Sequence, residues 1–398
     1  MIERKEYLED LKRWDGKRVI KVITGIRRCG KSTLMEQFQE YLLENGVGAE
    51  QIIAINLEDY ANLSLRDPLE LHRYVLEHAA KDKRTYVFLD EIQNVTDFPP
   101  MIDSLFLRKN LDLYITGSNA YMLSGELATH LSGRYITIDM LPLSFSEYVS
   151  WTGDSNELQR KYREYLESSS FPYVTELDGD RKAIDAYLEG IYSTVILKDV
   201  IARISNADQM VLESILHFLF SNIGSPLSTK KIADTLISEG RKTDVRIVEK
   251  YLTAFLGSYI LYQAKRYDIK GKQYLKTLEK YYVVDIGMRH MLLGRKNLDT
   301  GHVLENVVYL ELLRRGYAVY VGKMGDTEVD FVAMDPKGTT YYQVSASVRD
   351  ETTLQRELRP LQRIKDNYPK LILTLDEDPV SDYAGILRVN VLDWLIDK

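Results

Sequence analysis

The sequence predicts an α/β protein of several domains, opening with a sheet built around a glycine-rich loop. Three observations predict this. The stretch GIRRCGKST (25–33) lies between an aliphatic strand and an amphipathic helix. Strand and helix patterns then alternate to about residue 150 and return after residue 300. A chain of 398 residues, 45% hydrophobic and 28% charged, without proline-rich or glycine-serine tracts, is expected to fold throughout into more than one core.

Composition narrows the function classes. The chain has 59 acidic and 52 basic residues, a net charge of −7, so a uniformly basic nucleic-acid coat is excluded and a local basic patch is not. A single cysteine cannot form an internal disulfide, which suits a reducing compartment. The opening MIERKEYLEDLKRW reads as a charged amphipathic helix without an apolar signal core. No apolar run approaches the roughly 18 residues that would suggest a membrane span. A cytoplasmic protein with no membrane segment is expected. One Cys and six scattered His offer no zinc spacing, and no G-x-S-x-G elbow is present.

The first element to justify is the loop. KRVIKVITG reads as a buried strand that stops at Gly25, and STLMEQFQEYLLENG as a helix with apolar residues at Leu34, Phe38, Tyr41 and Leu42, ending at Gly46. The G-x-x-x-x-G-K-S match therefore has the strand–loop–helix context of a P-loop. Gly25 and Gly30 let the backbone wrap phosphates and turn N–H groups inward at a helix N-terminus. Lys31 would reach the β- and γ-phosphates of ATP, Ser32 would ligate Mg²⁺, and Thr33 would bond the α-phosphate. Ile26, Arg27, Arg28 and Cys29 would present backbone to the phosphates. The two arginine side chains are expected to face solvent or a neighbouring subunit. Cys29, beside a helix N-terminus, is expected to have a lowered pKa and to alkylate easily.

QIIAINLE (51–58) reads as a second strand. RTYVFLDEIQNV (84–95) is a third, ending in Asp90-Glu91, where α/β sheets hold ligands. Asp90 would hold Mg²⁺ through water and Glu91 would polarise the attacking water. LDLYITGSNA (111–120) gives a fourth strand, with Asn119, or else Ser118, placed to orient that water. LATHLSGRYITIDMLPLSFSEYVSW adds a helix, Arg134 and a fifth strand. Glu directly after the acidic-strand Asp, with an extra strand between P-loop and acidic strand, marks the additional-strand, AAA+-like type of P-loop NTPase.

LDEIQNV, TGSNA and LSGRYITIDMLPLSFSEY together resemble a family of predicted AAA+-like ATPases of bacteria and archaea. Its members carry a C-terminal domain of unknown function with a restriction-endonuclease-like core. The resemblance implies an ATP- and Mg²⁺-dependent, self-associating ATPase whose site is completed by an arginine of a neighbouring subunit. Arg134, in SGR, fits that position; a structural ion pair is its other reading.

Residues 1–150 are thus read as the ATPase domain and 151–206 as a helical lid or linker. Over 207–290 the pattern is helix, helix-turn-helix, then LYQAKRYDIKGKQYLKTLEKYYVVD as a two-strand wing turning near Gly271: a winged helix. Ser228 caps its second helix. Between Met210 and Lys272 stand ten Lys/Arg and six Asp/Glu, a local positive excess. Arg241, Lys242 and Arg246 near the recognition helix, with Lys265, Arg266 and Lys270 on the wing, would contact duplex DNA. Contacts to a protein client are the alternative.

Residues 291–398 read as a helix (GHVLENVVYLELLRRGY), two strands (AVYVGKMGDTEVDFVAMD, 318–335, and TTYYQVSASV) joined by a turn at PKG, then a helix and another strand, an order that resembles a restriction-endonuclease-like core. Carried over by position, the resemblance makes Glu305 and Asp330 metal ligands, puts Gln343 where a third acid belongs, and puts Ser345 where the lysine belongs. A neutral amide is a poor Mg²⁺ ligand, and nothing remains at Ser345 to activate water. Glu328, two residues before Asp330, is a spare ligand. A degenerate fold retained for binding is expected. The function read from the sequence is an ATPase that drives or switches contacts with DNA or a protein client; an ATP-gated nuclease or defence effector and a slow nucleotide-switched regulator are the alternatives.

Overall fold

The computed structural model describes residues 2–119, 131, 133–153, 157–201, 204, 207–294 and 299–397. The chain divides into two compact units, Met1–Pro142 with Gly257–Tyr259, and Leu143–Leu256 with Ile260–Lys398. No helix among the described residues is long and apolar enough to cross a membrane.

Unit 1 is built on five parallel strands: β1 (Ile20–Thr24), β2 (Ile52–Asn56), β3 (Thr85–Asp90), β4 (Leu111–Gly117) and β5 (Tyr135–Asp139), in the order β2-β3-β4-β1-β5. β1, β3 and nearly all of β4 are buried because helices cover both faces, so their sequences are near-continuous apolar runs. Ile20, Val22, Leu89, Ile115, Leu71 and Ile102 share one core. The strand that separates β1 from β3 in the sheet is β4. The strand between them in sequence, β2, forms an edge. The helix expected between the fourth and fifth strands lies outside the described residues, as does Ala120.

The first helix, Lys5–Trp14, buries Tyr7, Leu8 and Leu11. Helix Lys31–Glu44 opens at Gly30, in the left-handed region (φ 106°), and buries Leu34, Phe38 and Leu42. Helix Pro68–His78 starts with Asp67 accepting from two amides and proline at its first position.

Unit 2 opens with helices Phe145–Thr152, Leu158–Ser168 and Arg181–Thr194, then Gln209–Ser221, Thr229–Ser238 and Val245–Gly257. Ser228 caps Thr229–Ser238, its Oγ accepting the Lys231 amide at 3.1 Å. β6 (Leu261–Asp268) and β7 (Gln273–Val283) pair antiparallel around the expected turn. β6 also pairs parallel with β8 (Ala318–Met324), so the sheet runs across the border expected at residue 290. β9 (Thr327–Asp335), β10 (Gly338–Ser345), β11 (Lys370–Thr374), β12 (Ser381–Asp382) and β13 (Ile386–Asn390) complete the order β12-β13-β11-β10-β9-β8-β6-β7.

Residues 318–335, read as one strand, are the hairpin β8–β9. Gly325, with φ 64°, makes the turn that the aliphatic pattern on either side conceals. Helices Thr300–Arg314 and Glu351–Gln362 flank these strands.

Candidate functional site

The loop between β1 and helix Lys31–Glu44 is shaped by backbone that few residues adopt. Gly25 has φ 145°, and a Cβ there would lie 2.1 Å from the Met140 carbonyl oxygen. Gly30 has φ 106°, and Arg28, exposed, has φ 66°. Arg4, 2% exposed, fixes the loop from behind. Its guanidinium donates to the carbonyls of Cys29 (2.8 Å) and Leu141 (2.7 Å), tying the loop to the chain that follows β5. The Tyr7 hydroxyl accepts the Leu141 amide at 3.0 Å. Neither Arg4 nor Tyr7 carried a sequence signal, because Leu141, the partner they share, lies more than a hundred residues away.

The ends of β1, β3 and β4 bring the polar groups together. Lys31 is buried, its ammonium donating to the carbonyls of Gly25 (3.1 Å) and Ile26 (3.2 Å), with Glu91 Oε1 at 3.8 Å. Ser32 Oγ donates to Asp90 Oδ2 at 2.7 Å. Thr116, on β4, donates to the other oxygen of Asp90 and accepts the Glu91 amide at 2.9 Å. One hydroxyl thus fixes both members of the acidic pair. It stands just before the GSNA stretch that drew attention in the sequence. Gln93 donates to Glu91 Oε2 and to Ser118 Oγ (3.3 Å). Ser118 and Asn119 are both buried just past the end of β4.

Two expectations about the loop are corrected. Arg27 does not face solvent: its guanidinium lies 3.7 Å from Glu91 Oε2 and 3.7 Å from Glu58 Oε1 inside unit 1, drawn in by two carboxylates. Cys29 is a free, fully buried thiol, and burial pushes its pKa up. The positive helix end and the Lys31 and Arg4 charges do not overcome desolvation there.

Arg134 lies elsewhere. It immediately precedes β5, on the edge of the parallel sheet opposite to the loop, and β1 separates the two edges by about 13 Å at ~3.3 Å per residue. Its side chain is half-exposed, ion-paired with Asp103, and sits over the Phe106 ring at 5.9 Å.

The loop and acidic pair fit a magnesium nucleotide. A side chain at Gly25 would collide with the Met140 carbonyl behind the loop, Lys31 lies against the loop's own carbonyls, and Ser32 and Asp90 supply adjoining hard oxygen donors.

In unit 2, the residues expected to face DNA lie around the start of helix Val245–Gly257 and on the β6–β7 hairpin. Lys242 and Arg246 are exposed and Arg241 half-buried around the start of helix Val245–Gly257. Lys265 on β6 and Lys270 in the turn are exposed, and Arg266 is half-buried. The expected metal set is occupied by a side chain that sequence reasoning did not find. Lys280, from β7, lies 2.8 Å from Glu305 Oε1, 2.8 Å from Glu328 Oε1 and 4.0 Å from Asp330 Oδ1. Burial works against its charge, but Glu305, Asp330 and Glu328 prevail and raise its pKa. Ser345 donates to the Ser347 carbonyl at 3.0 Å. No group of three His, Cys, Asp or Glu among the described residues is arranged to hold a metal ion.

Comparison with known proteins places this geometry. Residues 17–149 match an AAA domain, and residues 159–299 match a domain of unknown function, DUF8612. An uncharacterized protein of Haemophilus influenzae is 38% identical over 400 residues, covering 100% of this chain and 99% of its own length. An uncharacterized protein of Methanocaldococcus jannaschii is 31% identical over 370 residues, covering 87% of this chain and 79% of its own. Among solved structures, a Walker-type ATPase of Pyrococcus abyssi aligns with a TM-score of 0.53 at 17% identity, over 73% of this chain and 96% of its own. That is a likeness of fold.

Proposed function

The chain belongs to one family with the Haemophilus influenzae and Methanocaldococcus jannaschii proteins and carries an AAA domain, and on that premise we propose that it is a magnesium-dependent ATPase. The observation that carries the proposal is the contact of Ser32 with Asp90 beside a buried Lys31 that lies over the Gly25–Gly30 loop and faces Glu91.

ATP with Mg²⁺, when bound, supplies the phosphoanhydride bond and the charge neutralisation at its phosphates. The chain supplies the rest. Amides of Ile26, Arg27, Arg28, Cys29 and Gly30 donate into the cradle, and Thr33 adds a hydroxyl. Lys31 exchanges its two carbonyl acceptors for phosphate oxygens, a stronger charge-assisted pairing. Ser32 and Asp90 hold the metal. Glu91 takes the proton of the attacking water, which Asn119 orients, and Arg134 of a second copy completes the site. Arg241, Lys242, Arg246, Lys265, Arg266 and Lys270 present positive charge to duplex DNA, and the endonuclease-like part serves binding rather than cleavage.

The test is steady-state ATP hydrolysis with Mg²⁺ across protein concentration, with and without duplex DNA, the DNA then being run on a gel. Turnover lost in Lys31→Ala and raised by intact DNA supports the proposal. Unchanged ATP affinity in Lys31→Ala would remove the nucleotide reading. A rate indifferent to DNA transfers the basic residues to a protein client, and cut DNA overturns the reading of the endonuclease-like part.

A further inference from the structure

The Lys280 cluster in unit 2 is not used by the ATPase chemistry. Lys280 is 3% exposed, and its ammonium lies among Glu305 and Asp330, which the endonuclease resemblance assigns to a metal, and the spare ligand Glu328. Each neighbouring group is oriented around it. Tyr282, on the same strand as Lys280, donates its hydroxyl to Glu305 Oε1 at 2.5 Å. Asp330 turns Oδ1 toward the ammonium and keeps Oδ2 on the Val344 amide at 2.8 Å. Gln343 does not offer its oxygen to the cluster. Its Oε1 accepts the Asp330 amide at 2.9 Å, and its Nε2 donates to Glu357 at 2.7 Å.

Such a donor set does not fit a divalent ion. Mg²⁺ requires oxygens at roughly 2.0–2.1 Å in an octahedral shell. An ammonium already 2.8 Å from two of these oxygens takes the same space and repels a second cation. The lysine missing at Ser345 is therefore supplied from another strand, but it sits in the position of the metal rather than beside it.

We infer that Lys280 is a resident cation that replaces a divalent metal among Glu305, Glu328 and Asp330, so that these carboxylates hold no metal and become a metal site only when that ammonium is removed. The inference rests on the endonuclease resemblance for the identity of the site, and its test is independent of ATP hydrolysis.

The test counts Mn²⁺ bound per full-length, nucleotide-free chain by electron paramagnetic resonance. Ser32 and Asp90 are unchanged in every variant, so any P-loop background is common to all. Lys280→Met is expected to bind one Mn²⁺ more than wild type, with its melting temperature raised by Mn²⁺ and not by K⁺. Adding Asp330→Asn should remove that ion. A folded Lys280→Met chain that gains no Mn²⁺ overturns the inference and leaves a purely structural ion cluster. A second arm holds even where Lys280→Met does not fold. Wild type and Glu305→Gln/Asp330→Asn are expected to bind the same number of Mn²⁺ ions, and a Mn²⁺ present in wild type but lost in that variant overturns it as well.

Discussion

Glu91 follows β3 with φ 56°, a left-handed backbone that costs a non-glycine residue about 1–3 kcal/mol and persists only where its surroundings enforce it. The Thr116 hydroxyl, accepting the Glu91 amide, is one such enforcement, and the carboxylate is held between Arg27 and Lys31. Glu91→Gln keeps the shape and the amide contact but removes the base. Nucleotide binding should persist while turnover falls by roughly 10²–10⁴-fold, the usual contribution of a positioned general base. Equilibrium binding and single-turnover rates on the same variant check this, and undiminished turnover would assign the base elsewhere. Cys29 makes the opposite point about local rules. A helix N-terminus lowers a thiol pKa only where the thiolate stays hydrated, and this thiol is fully buried. Its raised pKa leaves less thiolate at any pH below that value than an exposed cysteine has. Alkylation of the native protein at pH 8 should therefore lag far behind that of the urea-unfolded chain, and equal rates would mean that the loop opens freely.

Order of elements was legible because each piece of unit 1 carries its own signal: aliphatic runs for strands covered on both faces, and glycine, lysine and hydroxyl residues at fixed spacing for the loop. What escaped depends on contacts distant in sequence. Gly325 was read through because the apolar pattern continues on both sides of it, so two strands looked like one. Lys280 reads as part of the wing because its partners come from helix Thr300–Arg314 and from β9. In the sequence Arg4 reads as one more charge on an amphipathic helix, whereas it is the buried link between the loop and the chain after β5. Hydrogen bonds to a charged group contribute about 1.5–3 kcal/mol each, so losing the two that Arg4 donates to Cys29 and Leu141 in Arg4→Met should lower the stability of unit 1 by roughly 3–6 kcal/mol. The deficit would appear as a reduced urea midpoint and a weakened ATP affinity, since the Cys29 carbonyl is part of the loop. A variant with wild-type midpoint and affinity would show that the link is idle.

At the scale of the whole molecule, the role proposed for Arg134 is one that relates one copy of the chain to another. It sits at the starting edge of β5, while Lys31 and Glu91 lie at the finishing edges of β1 and β3 in the same sheet, so within one chain the arginine and the loop face opposite ways. Asp103 pairs with Arg134 but leaves it half-exposed, and an exposed pair of this kind contributes about 0–1 kcal/mol, little against the loss of a hydrolytic arginine. Mixing distinguishes the two roles. Lys31→Ala lacks a working loop but retains Arg134, and Arg134→Ala has the reverse defect. If the arginine acts between copies, each variant alone should be inactive and the mixture should regain turnover, rising with protein concentration as the copies assemble. Arg134→Ala with full activity by itself would reduce the residue to its contact with Asp103. If both variants stay inactive when mixed, the arginine serves its own chain, which the sheet geometry opposes.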